Sequence, residues 1–159
     1  MNISSISGRI GFPFIAAYAG TKFALEGISE SLRRELKVYG IDVIVIAPHS
    51  TNTALLDKAV AQDITRYETT PYQQPSQRVL EFILGGGRKG YHARQIAEAI
   101  YKAISVKKPR ARYSIVPKPL EAWLLSRVFP TRFTDRLMAK QFGLVRHSAV
   151  GPPGVIGQG

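Results

Sequence analysis

A serine, a tyrosine and a lysine stand at a spacing that can assemble a proton-transfer site. Twelve residues separate Ser5 from Tyr18, and three separate Tyr18 from Lys22. A phenol ordinarily loses its proton only near pH ~10, and a neighbouring cation stabilises the phenolate so that it can exchange protons at lower pH. Positions four apart lie on one face of a helix, about one turn from each other. The pattern therefore predicts that Tyr18 and Lys22 serve one pocket.

The sequence around these residues predicts the strand, loop and helix that position their side chains. Residues 1–6 are largely apolar and predict a strand end, and a loop from Gly8 to Pro13 follows it. From residue 16 to residue 39, apolar residues recur at a helical period and Gly40 supplies a helix stop. The recurring apolar residues are Phe23, Leu25, Ile28, Leu32, Leu36 and Val38. A hydroxyl at the strand end can therefore reach the site on the helix.

These residues resemble the short-chain dehydrogenase/reductase family, whose signature is Tyr-x-x-x-Lys with a serine thirteen residues upstream. Within the family, the sequence most resembles hydroxysteroid and retinol dehydrogenase-like members. The similar segments are Asn2-Ile3-Ser4-Ser5, Gly8-Arg9 and the run from Tyr18 to Gly27. Residues 48–53 occupy the place of the family's Pro-Gly-x-x-x-Thr segment, with His49 where glycine is usual. Glycine tolerates positive φ angles that histidine adopts less readily, so His49 raises the question of the local backbone conformation.

The resemblance implies an α/β fold, the carboxyl-terminal part of a Rossmann-like doubly wound parallel sheet. It implies an NAD(P)-dependent oxidoreductase that interconverts a secondary or apolar alcohol and its carbonyl compound by hydride transfer. Tyr18 would be the general acid and base, Lys22 would stabilise the phenolate and bond the nicotinamide ribose, and Ser5 would hold the substrate oxygen. The positions expected to contact the cofactor are Tyr18, Lys22, Pro48, Thr51 and Thr53.

A dinucleotide fold also needs a glycine-rich turn after its first strand and a residue that reads the ribose. Neither precedes Ser5, and the family's Asn-Asn-Ala-Gly segment is absent as well. We therefore expect the chain to be the carboxyl-terminal catalytic half of a family member, without the amino-terminal cofactor-binding half. The choice between NAD and NADP is open, because the residues that decide it belong to that half.

The rest of the chain supports the α/β prediction. Residues 41–47 are mostly β-branched and nearly continuous in apolarity, as in a parallel strand covered on both faces. A helix is predicted over residues 93–106 and a strand over residues 112–116. We expect one partial domain over residues 1–150, divided into a catalytic strand-helix-strand unit (1–54), a substrate cover (55–92), a last helix-strand unit (93–117) and carboxyl-terminal helices (118–146).

Within the cover, residues 55–64 and 76–84 are candidate short helices. The glycine run at residues 85–87 lacks the spacing of a phosphate loop and does not follow a strand. We interpret it as a flexible hinge, because glycine leaves the backbone free. Residues 151–159 have too little apolar content to fold and are predicted to be a disordered tail.

Two amphipathic helices are predicted over residues 120–129 and 131–142, interrupted at Pro130. Their apolar side carries Trp123, Leu124, Val128, Phe129, Phe133, Leu137 and Phe142. We favour packing of this side on the domain or on a second subunit. The alternative is a membrane surface, since basic amphipathic helices can lie on anionic lipid. The basic residues beside that side are Arg127, Arg132, Arg136 and Lys140.

Composition limits the other classes of function. The chain has 159 residues, a net charge of +11 and no cysteine, which excludes disulfides and thiolate metal sites. It shows neither a secretion signal nor an apolar stretch near ~18 residues, so a cytoplasmic protein is expected. The basic residues follow no recognition motif, so nucleic acid is not expected as a partner.

The histidines are isolated, so no metal site is expected. A homo-oligomer through the Tyr18 helix is expected, and the alternative function is a noncatalytic interaction or dimerisation module.

Overall fold

The computed structural model describes residues 1–51, 67–88, 90–117 and 128–145. Within these ranges three strands form a parallel sheet in the order β1 (Asn2–Ile3), β2 (Val45–Pro48) and β3 (Arg112–Ile115). The described helices are α1 (Ala16–Glu35), α2 (Gln73–Arg88), α3 (Ala93–Ser105) and α4 (Thr131–Phe142). Helices and parallel strands alternate along the chain, so the predicted α/β fold is confirmed.

The middle strand β2 is the core of this sheet. Asn2 of β1 pairs with Val45, and Ile46 pairs with Tyr113 of β3. The run from Val43 to Ala47 is buried throughout, as the apolar sequence predicted. The strand itself begins at Val45 rather than at Ile41, because the Ile41 amide donates to the Leu36 carbonyl and closes the end of the preceding helix. The packed core cluster consists of Ile44, Ile46, Ile100, Ala103, Tyr113 and Ile115.

Helix α1 carries the predicted catalytic pair and stops where the sequence predicted. A short 3-10 turn follows it over Leu36–Tyr39, and Gly40 takes the left-handed conformation at φ 69° that ends the helix. The packing face differs from the prediction. Ala19 and Ser29 are buried, whereas Phe23, Ile28 and Leu32 are 47%, 55% and 36% exposed. Ser29 contacts Asn2 of β1, and Ala19 lines a groove beside α4. Of the predicted apolar residues, Leu25 and Leu36 are half-buried.

Other sequence predictions are refined or corrected. Strand β1 is shorter than the predicted residues 1–6, the predicted helix over 76–84 extends to Gln73–Arg88, and the one over 131–142 is confirmed. The predicted hinge at residues 85–87 is wrong, because these glycines form the last turn of α2. The predicted helix over 55–64, most of the one over 120–129, Thr53 and the tail lie outside the described residues. None of the described helices is long and apolar enough to cross a membrane.

Candidate active site

The predicted site residues follow the ends of neighbouring parallel strands. The Ser4 amide donates to the Ile46 carbonyl at 2.7 Å, so the pairing of β1 with β2 continues past Ile3. Ser5 therefore lies at the same edge of the sheet as Pro48, the last residue of β2, and the segment from His49 to Thr51 that follows it. In parallel α/β sheets this carboxyl-terminal edge is where ligands bind.

Tyr18 and Lys22 lie on the first turns of α1 and face this edge together. The Lys22 Nζ donates to the Ile3 carbonyl at 3.1 Å and lies 5.7 Å from the centre of the Tyr18 ring. Tyr18 is the third residue of the helix and 38% exposed. The structure thus brings the phenol, the ammonium group and the end of β1 together. This is the arrangement that the i, i+4 spacing predicted.

Ser5 begins a 3-10 turn over Ile6–Gly8. Its Oγ accepts a hydrogen bond from the Ser7 amide at 3.2 Å. That bond occupies a lone pair and leaves the hydroxyl hydrogen to be directed elsewhere. The turn lies tight against α1, because a Cβ on Gly8 would be 2.6 Å from the Ser4 Oγ and 3.1 Å from the Lys22 carbonyl. The position of Ser5 is therefore fixed by its own turn and by the helix that carries the pair.

A partly buried ion-pair cluster supports this turn from β3. The Arg112 Nε donates to both carboxylate oxygens of Glu26 at 3.1 Å, and the Arg9 Nε lies 3.6 Å from the same carboxylate. A longer contact of 3.5 Å joins the Arg112 Nη2 to the Ser5 carbonyl. The sequence analysis did not predict this cluster, because nothing in the sequence distinguishes Glu26 from the other polar residues of the helix. Only the contact between distant segments marks it.

A second missed contact ties β1 to α1. The Asn2 Nδ2 donates to the Ser29 Oγ at 2.8 Å, and the Ser29 hydroxyl donates to the Leu25 carbonyl at 2.6 Å. Ser29 is fully buried, so this relay satisfies polar groups inside the protein. It explains why a serine rather than an apolar residue occupies the packed face of α1.

The segment after β2 is held by bonds on both sides. The His49 amide donates to the Ile115 carbonyl at 2.9 Å, and the Thr51 hydroxyl donates to the His49 carbonyl at 3.2 Å. Among the described non-glycine residues, positive φ occurs at Phe14, so His49 in the place of the family's glycine carries no left-handed strain. Burial lowers the pKa of His49 below its ordinary value of 6.5, because burial disfavours the charged ring.

Gly86, one of the glycines predicted to form a hinge, and Gly90, which follows α2, pack against this segment. A Cβ on Gly86 would lie 2.9 Å from the Ser50 Oγ, and one on Gly90 would lie 2.3 Å from the Ser50 carbonyl oxygen. The Tyr91 amide donates to the same carbonyl at 3.1 Å, and Tyr91 forms a bridge with Thr51. The end of α2 can therefore approach the predicted cofactor segment only because side chains are absent there.

The loop before α1 borders an apolar groove. Phe14 adopts φ 63°, and its ring lies 5.4 Å from Tyr67 and 5.9 Å from Tyr72. The groove has a volume of about 460 Å³ and runs between this loop and α4. It is lined by Gly11, Phe12, Pro13, Ala16, Ala19, Asp135, Met138, Ala139 and Leu144. Ser5, Tyr18 and Lys22 are not among these residues, so the groove is a neighbour of the site and not its centre.

Comparison with known proteins agrees with this geometry. Residues 1–64 match the family model described as short chain dehydrogenase. The chain is 30% identical over 140 residues to an NADPH-dependent 3-dehydrocapnine reductase of Ornithobacterium rhinotracheale, covering 88% of this chain and 49% of that protein. It is 34% identical over 117 residues to a 3-ketodihydrosphingosine reductase of Bacteroides thetaiotaomicron, covering 74% and 43%. The chain spans about half the length of the curated relatives it matches.

The fold has a match among solved structures. A short-chain dehydrogenase from Streptomyces avermitilis superposes with a TM-score of 0.56 at 24% identity, over 87% of this chain and 47% of that one. The chain belongs to the short-chain dehydrogenase/reductase family.

Proposed function

We propose that this chain carries the proton-transfer site of an NAD(P)-dependent oxidoreductase that interconverts an alcohol and its carbonyl compound. The observation that carries the proposal is the position of the Lys22 ammonium, bonded to the Ile3 carbonyl and 5.7 Å from the centre of the Tyr18 ring. This contact brings a cation beside the phenol, next to the end of β1. The partial exposure of Tyr18 leaves its ring open to a substrate.

Each side chain has a step in this reaction. During reduction Tyr18 would donate its proton to the substrate oxygen, and during oxidation it would take that proton back. Ser5, whose lone pair is engaged by the Ser7 amide, would direct its hydroxyl hydrogen to the same oxygen. Lys22 would hold the negative charge on the phenol between these events. A bound nicotinamide would supply or accept the hydride.

The residues at the sheet edge fit the nicotinamide end of such a cofactor. The Lys22 ammonium has three N–H donors, and one of them bonds the Ile3 carbonyl. Thr51 is half-buried at the same edge. These groups suit a ribose and a carboxamide. Pro48 and Thr53 belong to the same proposed contact segment. The described residues include no glycine-rich turn after a strand that would suit the pyrophosphate.

Reduction of a ketone on an apolar chain is the first reaction to test, with NADPH as the first cofactor. Two relatives are named as reductases, one of them NADPH-dependent and the other acting on 3-ketodihydrosphingosine. The apolar groove along Ala16 and Ala19 begins within one turn of Tyr18 and would suit an apolar substrate. NADPH and 3-ketodihydrosphingosine are therefore the probes.

The test is calorimetry with NADPH and an absorbance assay of NADPH consumption with the ketone. We expect Tyr18→Phe to bind NADPH as the unmodified chain does and to lose turnover by about 10²-fold or more, since a general acid contributes that much. Lys22→Met should weaken both binding and turnover. The matched controls are Tyr39→Phe and Lys37→Met at exposed positions of the 3-10 turn. Both assays are run on the 159-residue chain and on a chain extended at its amino terminus, because the described residues include no turn that would suit the pyrophosphate. Unchanged turnover in Tyr18→Phe, or no NADPH binding by either chain, would contradict the proposal.

A second candidate is a noncatalytic module that pairs through α1. It is favoured by the outward face of that helix, where Phe23, Ile28 and Leu32 are exposed beside Gly20, Ala24 and Gly27. A second copy could cover this apolar face as a homo-oligomer. Sedimentation of the chain and of Ile28→Ser distinguishes the candidates. A dimer that dissociates on this substitution, in a chain that does not bind NADPH, supports the module.

A further inference from the structure

Helix α4 has two exposed rows on its outer side. Phe133 and Leu137 are four residues apart and 47% and 41% exposed, and Phe129, which is 41% exposed, stands four residues before them. The ring centres of Phe129 and Phe133 lie 4.8 Å apart, with the ring planes tilted by 32°. The second row consists of Arg132, Arg136 and Lys140, also spaced by four and all exposed. Positions at this spacing run along one side of a helix, so an apolar row lies beside a cationic row.

The inner side of α4 is different. Phe142 is buried and packs edge-on against Phe82 at 5.5 Å, and Met138 and Ala139 line the groove next to it. Asp135 is the acidic residue of the helix, and it also lines the groove. The helix is therefore anchored by one apolar side, while a second apolar side and all of its cations face outward.

We propose that this outer side of α4 rests on the surface of an anionic lipid bilayer. The distribution of charge on α4 carries the proposal. Its three cations, Arg132, Arg136 and Lys140, lie beside the exposed apolar row, and its carboxylate, Asp135, lines the groove on the other side. Helices that lie in a membrane interface place Phe and Leu in the acyl boundary and Lys or Arg toward the headgroups. Long cationic side chains can extend to those headgroups while their stems stay with the apolar row.

A second copy of the chain fits this side less well. A two-fold contact through α4 would bring Arg132, Arg136 and Lys140 near the same residues of the other copy, which costs free energy through like-charge repulsion. A nucleic acid would neutralise the cations but would leave the stacked rings of Phe129 and Phe133 without an apolar partner. Anionic lipid provides acyl chains for the apolar row and negatively charged headgroups for the cationic row.

The test is co-sedimentation of the whole chain with two kinds of vesicle, phosphatidylcholine alone and phosphatidylcholine mixed with phosphatidylserine. We expect binding to the anionic vesicles that weakens as salt is added. Arg132→Gln combined with Arg136→Gln should weaken binding about thirtyfold, from about fivefold for each cation near the surface. Phe133→Ser combined with Leu137→Ser should weaken it by roughly tenfold or more.

Matched controls lie on other exposed segments. Lys107→Gln with Lys108→Gln removes the same charge from the loop before β3, and Val38→Ser with Tyr39→Ser removes exposed apolar side chains after α1. Both should bind vesicles as the unmodified chain does. Equal loss in these controls, or no vesicle binding at all, overturns the proposal. So does a dimer that Phe133→Ser dissociates without lipid, or binding of duplex DNA that the Arg substitutions abolish and the Phe133 substitution does not.

Discussion

Arg112 bonds both carboxylate oxygens of Glu26 at 3.1 Å, across 86 residues of sequence. The contact joins the last described strand to the helix that carries Tyr18 and Lys22. The Glu26 and Arg112 side chains are only 13% and 15% exposed, so solvent screens the pair weakly. Strand β3 is thus joined to α1 by this ion pair and to β2 by its backbone pairing.

Replacing Glu26 by glutamine should destabilise the protein strongly. The substitution leaves the Arg112 guanidinium largely buried without its counter-charge, and we expect a loss of about 2–3 kcal/mol in the free energy of unfolding. Urea unfolding measures it. Glu98→Gln is the matched control, because the Glu98–Arg94 pair is 65% and 89% exposed and should change stability by less than about 0.5 kcal/mol. A Glu26 variant as stable as the control would show that the cluster is not structural.

Gly90→Ala should displace the segment that follows β2. The added Cβ would lie 2.3 Å from the Ser50 carbonyl oxygen, a backbone atom that cannot rotate away. We expect a destabilisation of about 1–3 kcal/mol from overpacking. Gly85→Ala is the comparison, because nothing lies within 4 Å of a Cβ there and alanine favours a helix by roughly 0.5–1 kcal/mol. Thermal unfolding of both variants should move in opposite directions, and a shift of the same sign in both would contradict the packing at Ser50.

His49 should make stability depend on pH. Its pKa is lowered by burial, so below its ordinary pKa of 6.5 the unfolded chain takes up a proton that the folded chain does not. Stability is therefore full above pH 6.5 and falls as the pH drops below it toward the folded pKa. His49→Gln should remove this part of the loss. Urea unfolding at about pH 7.5 and about pH 5.5 tests it, and His92→Gln at an exposed position is the control. An equal pH effect with and without His49 would contradict it.

The left-handed backbone at Phe14 predicts an unusual order of two variants. Both Phe14→Ala and Phe14→Gly lose the ring contacts to Tyr67 and Tyr72, but only glycine relieves the steric cost of φ 63°. Phe14→Gly should therefore be more stable than Phe14→Ala by about 1 kcal/mol. At Phe12, which lacks a positive φ, glycine should be the less stable variant. Chemical unfolding of the four variants decides it, and the same order at both positions would argue against the strained conformation.

Local patterns predicted the elements that carry the site. The apolar period and Gly40 gave the extent of α1, and the i, i+4 spacing placed Lys22 beside Tyr18. The apolar run before Pro48 identified the buried middle strand. These features depend on contacts within a few residues, where helical and strand geometry alone set which side chains meet. The family resemblance added the expected roles of Ser5, Pro48, Thr51 and Thr53.

The tertiary structure decided the contacts between distant segments. The sequence could not show that Glu26 pairs with Arg112 or that Ser29 accepts a hydrogen bond from Asn2. Nor could it show that a side chain at Gly90 would clash with the Ser50 backbone. The tertiary structure also decided which side of α1 is buried, because Ala19 and Ser29 are covered while Phe23 and Ile28 stay exposed. A helical period in the sequence predicts that a helix has an apolar side. Which side is buried depends on the shape and distance of the surface that the helix packs against. The sequence by itself thus determined the local spacing of the candidate site residues, and only the packing of strands and helices decided which distant residues support them.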